Sequence, residues 1–101
     1  MELSYWGIIM AVLTVMYDSK KYSYDQIIER VVDPFVSFQG RYEDFEEYYR
    51  SKRMGCDVNA FEIECKKSTG PKKISEFSKK FNLDLERLAR DTYFLRGLRK
   101  N

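Results

Sequence analysis

Residues 57–67, DVNAFEIECKK, decide the fold class, because they read two ways. Phe61, Ile63 and Cys65 alternate with Glu62, Glu64 and Lys66, the period of a strand with one buried face. Val58, Phe61 and Cys65, with Glu62 four residues before Lys66, also fit one side of a helix. Strict alternation favours the strand. A strand needs partners, and outward from this stretch the short runs at 20–24 and 35–39 are the ones on offer, neither strongly β in composition. Little sheet can be built from them. The expected fold is therefore mainly α: one domain over residues 1–101, of five or six helices, with at most a minor β element near residues 58–66.

Upstream, residues 3–17 (LSYWGIIMAVLTVMY) run fifteen positions without a formal charge. A membrane-spanning helix needs about 20 apolar residues, and a signal peptide has a basic region ahead of its apolar run, where this chain has Glu2. Apolar groups all round the helical wheel instead predict a central helix buried by its neighbours. Ser23 and Gln26 form a capping box, with Tyr22 and Ile27 at staple spacing. Tyr24, Ile27, Ile28 and Val31 then make one apolar stripe. Asp33-Pro34 should end that helix or open a short new turn through Phe38. Residues 41–54 predict another helix, with Tyr42, Phe45 and Tyr49 on one side, and with Glu43, Asp44, Glu46 and Glu47 complementing its dipole as a solvated face.

Downstream of Gly70-Pro71, Ile74, Phe77, Ser78 and Phe81 define the apolar face of a helix, and Lys72, Lys73, Lys79 and Lys80 lie off it. Asn82 and Asp84 then read as a stop and a new N-cap, opening a last helix with Leu85, Leu88, Thr92 and Leu95 inward.

Charge is sorted along the chain. Residues 1–50 stand near −4 and residues 51–101 near +6, and from Lys66 onward the excess is about +7, all hidden in a net of +2. Clustered cations raise the local potential and attract phosphate by counterion release. The chain has no His, which removes Ser-His and Cys-His nucleophile systems and His-containing zinc sites. Cys56 and Cys65, nine residues apart, match no Cys-x-x-Cys spacing and read as reduced thiols of a cytoplasmic protein, with a single bridge left open.

Two family resemblances follow from these residues. The unit ISEFSKKFNLDLERLARD, residues 74–91, resembles the helix-turn-helix of DNA-binding proteins: Phe77 and Ser78 on the first helix, Asn82 and Leu83 in the turn, Leu88 on the second. Asp91 stands where that family buries an apolar residue, and Asp84 and Glu86 open the recognition helix. A plain helical hairpin fits the same residues. Asp57 with Glu64-Cys65-Lys66 looks like the D…E-x-K signature of restriction-endonuclease-like nucleases, a resemblance that would make the two carboxylates metal ligands and Lys66 the catalytic amine.

The function expected is that of a small nucleic-acid-binding regulatory protein, DNA favoured over RNA, without cofactor or metal. Its phosphate contacts would be Lys72, Lys73, Lys79, Lys80, Arg87, Arg90, Arg96 and Arg99, on a C-terminal helix pair. The alternatives are a protein-interaction module with an acidic, Tyr-rich face around residues 42–49, and the nuclease.

Overall fold

The computed structural model describes residues 11–39, 49–65 and 69–99. Five strands form one sheet in the order β2-β3-β1-β5-β4, with β1 at Ala11–Asp18, β2 at Tyr49–Gly55, β3 at Val58–Cys65, β4 at Leu83–Ala89 and β5 at Thr92–Leu98. The mainly α expectation is overturned. β1 is central, antiparallel to β3 and parallel to β5, and each outer strand closes a hairpin onto its inner neighbour.

The strand reading holds over Val58–Cys65, with partners other than those expected, and residues 66–67 lie outside the described residues. β3 pairs on one side with β1, Leu13 opposite Ile63 and Val15 opposite Phe61, and on the other with β2. Residues 20–24 and 35–39 join no strand. The expected central helix fails over its second half: Leu13, Val15 and Tyr17 point into the core from a strand, while Val12, Thr14 and Met16 take the opposite face. Its first half, residues 3–10, lies outside the described residues. So do 41–48 of the helix expected over 41–54, of which the remainder forms edge strand β2.

Helical structure runs without a break from Tyr24 to Gln39, as α1 (Tyr24–Ile27), a π-helical turn (Ile28–Val32) and α2 (Asp33–Gln39). The capping box is present: Gln26 N–H donates to Ser23 Oγ at 3.1 Å and Ser23 N–H to Gln26 Oε1 at 3.3 Å. Pro34 does not end the helix. Its ring would meet the carbonyl four residues back, and the wider turn ahead of it, with Asp33 N–H bonded to Ile28 O, relieves that conflict. α3 (Pro71–Lys80) matches expectation, with Ile74 and Phe77 buried and Pro71 in the first turn.

Both helical layers cover the same face of the sheet. Phe35 and Phe38 of α2 meet Phe77 of α3 at 5.1 and 5.4 Å between ring centroids, and Phe61 beneath them stacks on Tyr17 and takes the edge of Tyr24. Tyr17, Phe35, Phe61 and Phe77 belong to one core cluster with Ile27, Val31, Val32, Ile63 and Leu95, and Phe38 packs against it.

The expected last helix is instead the β4–β5 hairpin, turning at Arg90-Asp91 with Asp91 at φ 58°. Asp91 O accepts from Thr14 N–H at 2.8 Å and starts the parallel ladder to β1. The unit expected as a helix-turn-helix therefore has a β-hairpin in place of its second helix, the chain is not all-α, and nothing in the fold supports DNA binding or transcription regulation.

The β2–β3 turn holds Cys56 at φ 53° and Asp57 at φ 61°, both left-handed without being glycine. This two-residue loop prefers Asn-Gly. Cys56→Asn should raise the unfolding free energy by about 0.5–1 kcal/mol in urea titrations, and no gain would show that the turn carries no such strain.

Cys56 is exposed at this tip and Cys65 buried at the other end of β3, both unbridged. Burial pushes the Cys65 thiol up, partly offset by a hydrogen bond with Thr69. A raised folded value means that the neutral thiol's contribution is intact below the ordinary 9.0 and is lost as pH climbs past it. Stability should therefore start to fall near pH 9.0, and the fall should flatten in Cys65→Ala; an identical profile in both proteins would contradict this assignment.

Candidate functional site

α3 places its four lysines together. At 100° per residue, Lys72, Lys79, Lys80 and Lys73 fall within an arc of about 120°, with Glu76 between them, turned away from the buried Ile74 and Phe77. The pairs Lys72-Lys73 and Lys79-Lys80 are separated by seven residues, about 10.5 Å along the axis. No carboxylate among the described residues makes an ion pair with any of the four. Lys80 lies over the Phe81 ring at 5.8 Å.

Helix energetics explain half of this set. Lys79 and Lys80 sit in the last turn, where cations complement the dipole. Lys72 and Lys73 sit in the first turn, which contains no acid and has Gly70 as an N-cap without a side-chain hydrogen bond. There the dipole opposes cations by about 0.3–1 kcal/mol each.

The other expected contacts disperse. Arg87 stands opposite Tyr93 in register, on the helix-bearing side of the sheet. Burial raises the Tyr93 phenol's pKa, with Arg87 working against the shift. Arg90 lies in the hairpin turn with its Nε 4.0 Å from an Asp91 carboxylate oxygen. Arg96 is on the opposite face of the sheet, hydrogen-bonded to Glu86, which with Asp84 raises its pKa. Arg99 N–H donates to Asn82 O and its own carbonyl accepts from Arg30 Nη2, both at 2.9 Å. Those two bonds bring Arg30 and Arg99 to the C-terminal end of α3. Arg30 was not among the expected contacts, since 69 residues separate it from Arg99 and no local pattern joins them.

The two carboxylates of the nuclease signature, Asp57 and Glu64, do not come together. Asp57 is in the turn before β3, paired with Lys20 at 3.4 Å, and Glu64 lies seven positions further along. The resulting separation of about 20 Å is far beyond what one metal ion bridges. Lys66 lies outside the described residues, and among those described no group of three or more potential metal ligands is found. Of the Tyr-rich face, Tyr49 is half-buried against Phe61 and residues 42–48 lie outside the described residues. Tyr17 and Tyr22 are core residues. Among the described residues no helix is long and apolar enough to cross a membrane.

Comparisons with protein-family models, with curated proteins and with solved structures find no match.

Proposed function

We propose that this protein binds nucleic acid through the phosphate backbone, using the lysine face of α3 with Arg99 and Arg30 at its C-terminal end. The observation that carries the reading is the pair Lys72 and Lys73. They weaken their own helix, form no ion pair with a described carboxylate, and share an arc with Lys79 and Lys80. An external polyanion supplies the charge that the fold does not. Backbone N–H groups of the first turn, left without intrahelical acceptors, add donors at the same end.

The expected mode is positioning on phosphates without base readout. The face offers ammonium groups in place of the flat hydrogen-bonding side chains that read base edges. An arc with two lysine pairs about 10.5 Å apart spans several phosphates of one strand, which recur every 3.4 Å or so along the duplex axis. Sequence-independent contact of this kind replaces the recognition helix expected from the sequence.

A backbone-neutral probe tests the proposal. In fluorescence anisotropy, a labelled oligonucleotide duplex should bind, and the same sequence with an uncharged methylphosphonate backbone should not. Equal binding of the two would remove the phosphate as the recognised group.

A further inference from the structure

α3 has a single acidic residue, Glu76, and it stands at the centre of the lysine face in both directions. Around the axis Glu76 lies about 60° from either edge of the lysine arc, and along the axis about 6 Å from Lys72 and from Lys80. Glu76 and all four lysines are exposed. A carboxylate in this place repels the phosphates that the surrounding ammonium groups attract.

Helix chemistry does not account for it. An acid strengthens a helix from the first turn, and the first turn of α3 has none. Glu76 is three or four positions from each lysine, the spacing at which side chains pair along a helix, yet it forms no ion pair with any of them. It is a charged acceptor set among donors that leave it open.

Few groups on a nucleic acid can donate to such an acceptor. The sugar–phosphate backbone of DNA has no hydrogen-bond donor, and that of RNA has one, the ribose 2′-hydroxyl. Amino groups of the bases are the other donors, and they lie on the groove floors, away from a face seated on the backbone. Resting on the phosphate-binding mode above, we propose that Glu76 makes this face selective for RNA over DNA, its carboxylate accepting from a ribose 2′-hydroxyl between the phosphates held by the two lysine pairs. In A-form RNA the 2′-hydroxyls line a wide, shallow groove, within reach of the convex surface of a helix. There the bond is charge-assisted and offsets the repulsion from neighbouring phosphates. On DNA the same carboxylate meets that repulsion uncompensated.

Three duplexes of one sequence test this by fluorescence anisotropy: RNA, the same RNA with every 2′-hydroxyl methylated, and DNA. The methylated duplex keeps the A-form and its phosphates but loses the donor. Wild-type protein should bind the unmodified RNA roughly tenfold more tightly than the methylated RNA, the worth of one hydrogen bond to a charged group. In Glu76→Ala that gap should close, and DNA should bind roughly two- to threefold more tightly than it does to the wild type, because a like charge beside the phosphates is gone. Circular dichroism melts establish that the variant is folded. Equal affinity of the wild-type protein for the two RNA duplexes overturns the role of Glu76 and leaves the phosphate reading standing. A gap that persists in Glu76→Ala gives the 2′-hydroxyl to another residue and overturns it as well, whereas no binding of any of the three duplexes overturns both readings together.

Discussion

Phe77→Ala should lower the unfolding free energy by about 3–5 kcal/mol, read from the urea midpoint at unchanged slope. Phe77 is 1% exposed, and its ring lies 5.1 Å from Phe35, 5.4 Å from Phe38 and 5.1 Å from Phe81, the first contact edge-on. It is the residue through which α3 is fastened to α2. Truncation removes the transfer energy of the ring and leaves a cavity lined by groups that α2 and the sheet hold in place, so little collapse can offset it. Domains of this size have about 5–15 kcal/mol in total, so the loss is a large fraction. Phe77→Leu keeps most of the volume and should cost less than half as much. A loss below about 1 kcal/mol in Phe77→Ala would mean that α3 is not docked as described.

The second large effect is on binding. Changing Lys72, Lys73, Lys79 and Lys80 to Gln keeps side-chain length and good helix propensity while removing four charges. The helix should persist, and Lys72→Gln and Lys73→Gln should if anything strengthen it by relieving the dipole. Four fewer cations on the phosphate backbone should take about 3.6 from the log–log salt slope with duplex DNA, and the weakening should be uniform across sequences. Arg90→Gln with Arg96→Gln provides the internal contrast, because those guanidinium groups already face Asp91 and Glu86. Comparable weakening in both variants would show that general charge, and not the α3 face, governs binding.

What could be read from the sequence was what local chemistry controls. The Ser23–Gln26 capping box and the apolar face of α3 are set by residues within one or two turns, and both were legible. β3 was legible because its burial alternates. β1 was not: as the central strand it has Leu13, Val15 and Tyr17 on the core face and Val12 and Met16 on the other, so its apolar residues read as all-round hydrophobicity. β4 and β5 were hidden by bulges. Register shifts between Asp84 and Leu85 and between Arg87 and Ala89 break the two-residue period, and Leu88 then falls into helical spacing with Leu85, Thr92 and Leu95. β2, exposed from Arg50 to Gly55, has no buried face to reveal it.

The same distinction applies to the site. Lys72, Lys73, Lys79 and Lys80 were visible as the polar side of a helix, since one element positions all four. The neutralisation of Arg96 by Glu86 depends on a hairpin that pairs residues ten apart, and the arrival of Arg30 beside Arg99 depends on the whole fold. The contiguous basic tract of the sequence is thus split: four lysines on α3, one arginine paired on the far face, one paired in a turn, and Arg99 tied to the N-terminal helical arm.

The salt dependence of duplex binding tests the central claim most directly. With the four lysines, Arg30 and Arg99 on phosphates, the slope of log K against log salt should be about −5.4, a drop of roughly 2,000-fold between about 50 and 200 mM salt, and it should fall to about −1.8 in the four-lysine variant. A slope near zero for the wild-type protein, or one that the variant leaves unchanged, would contradict the account.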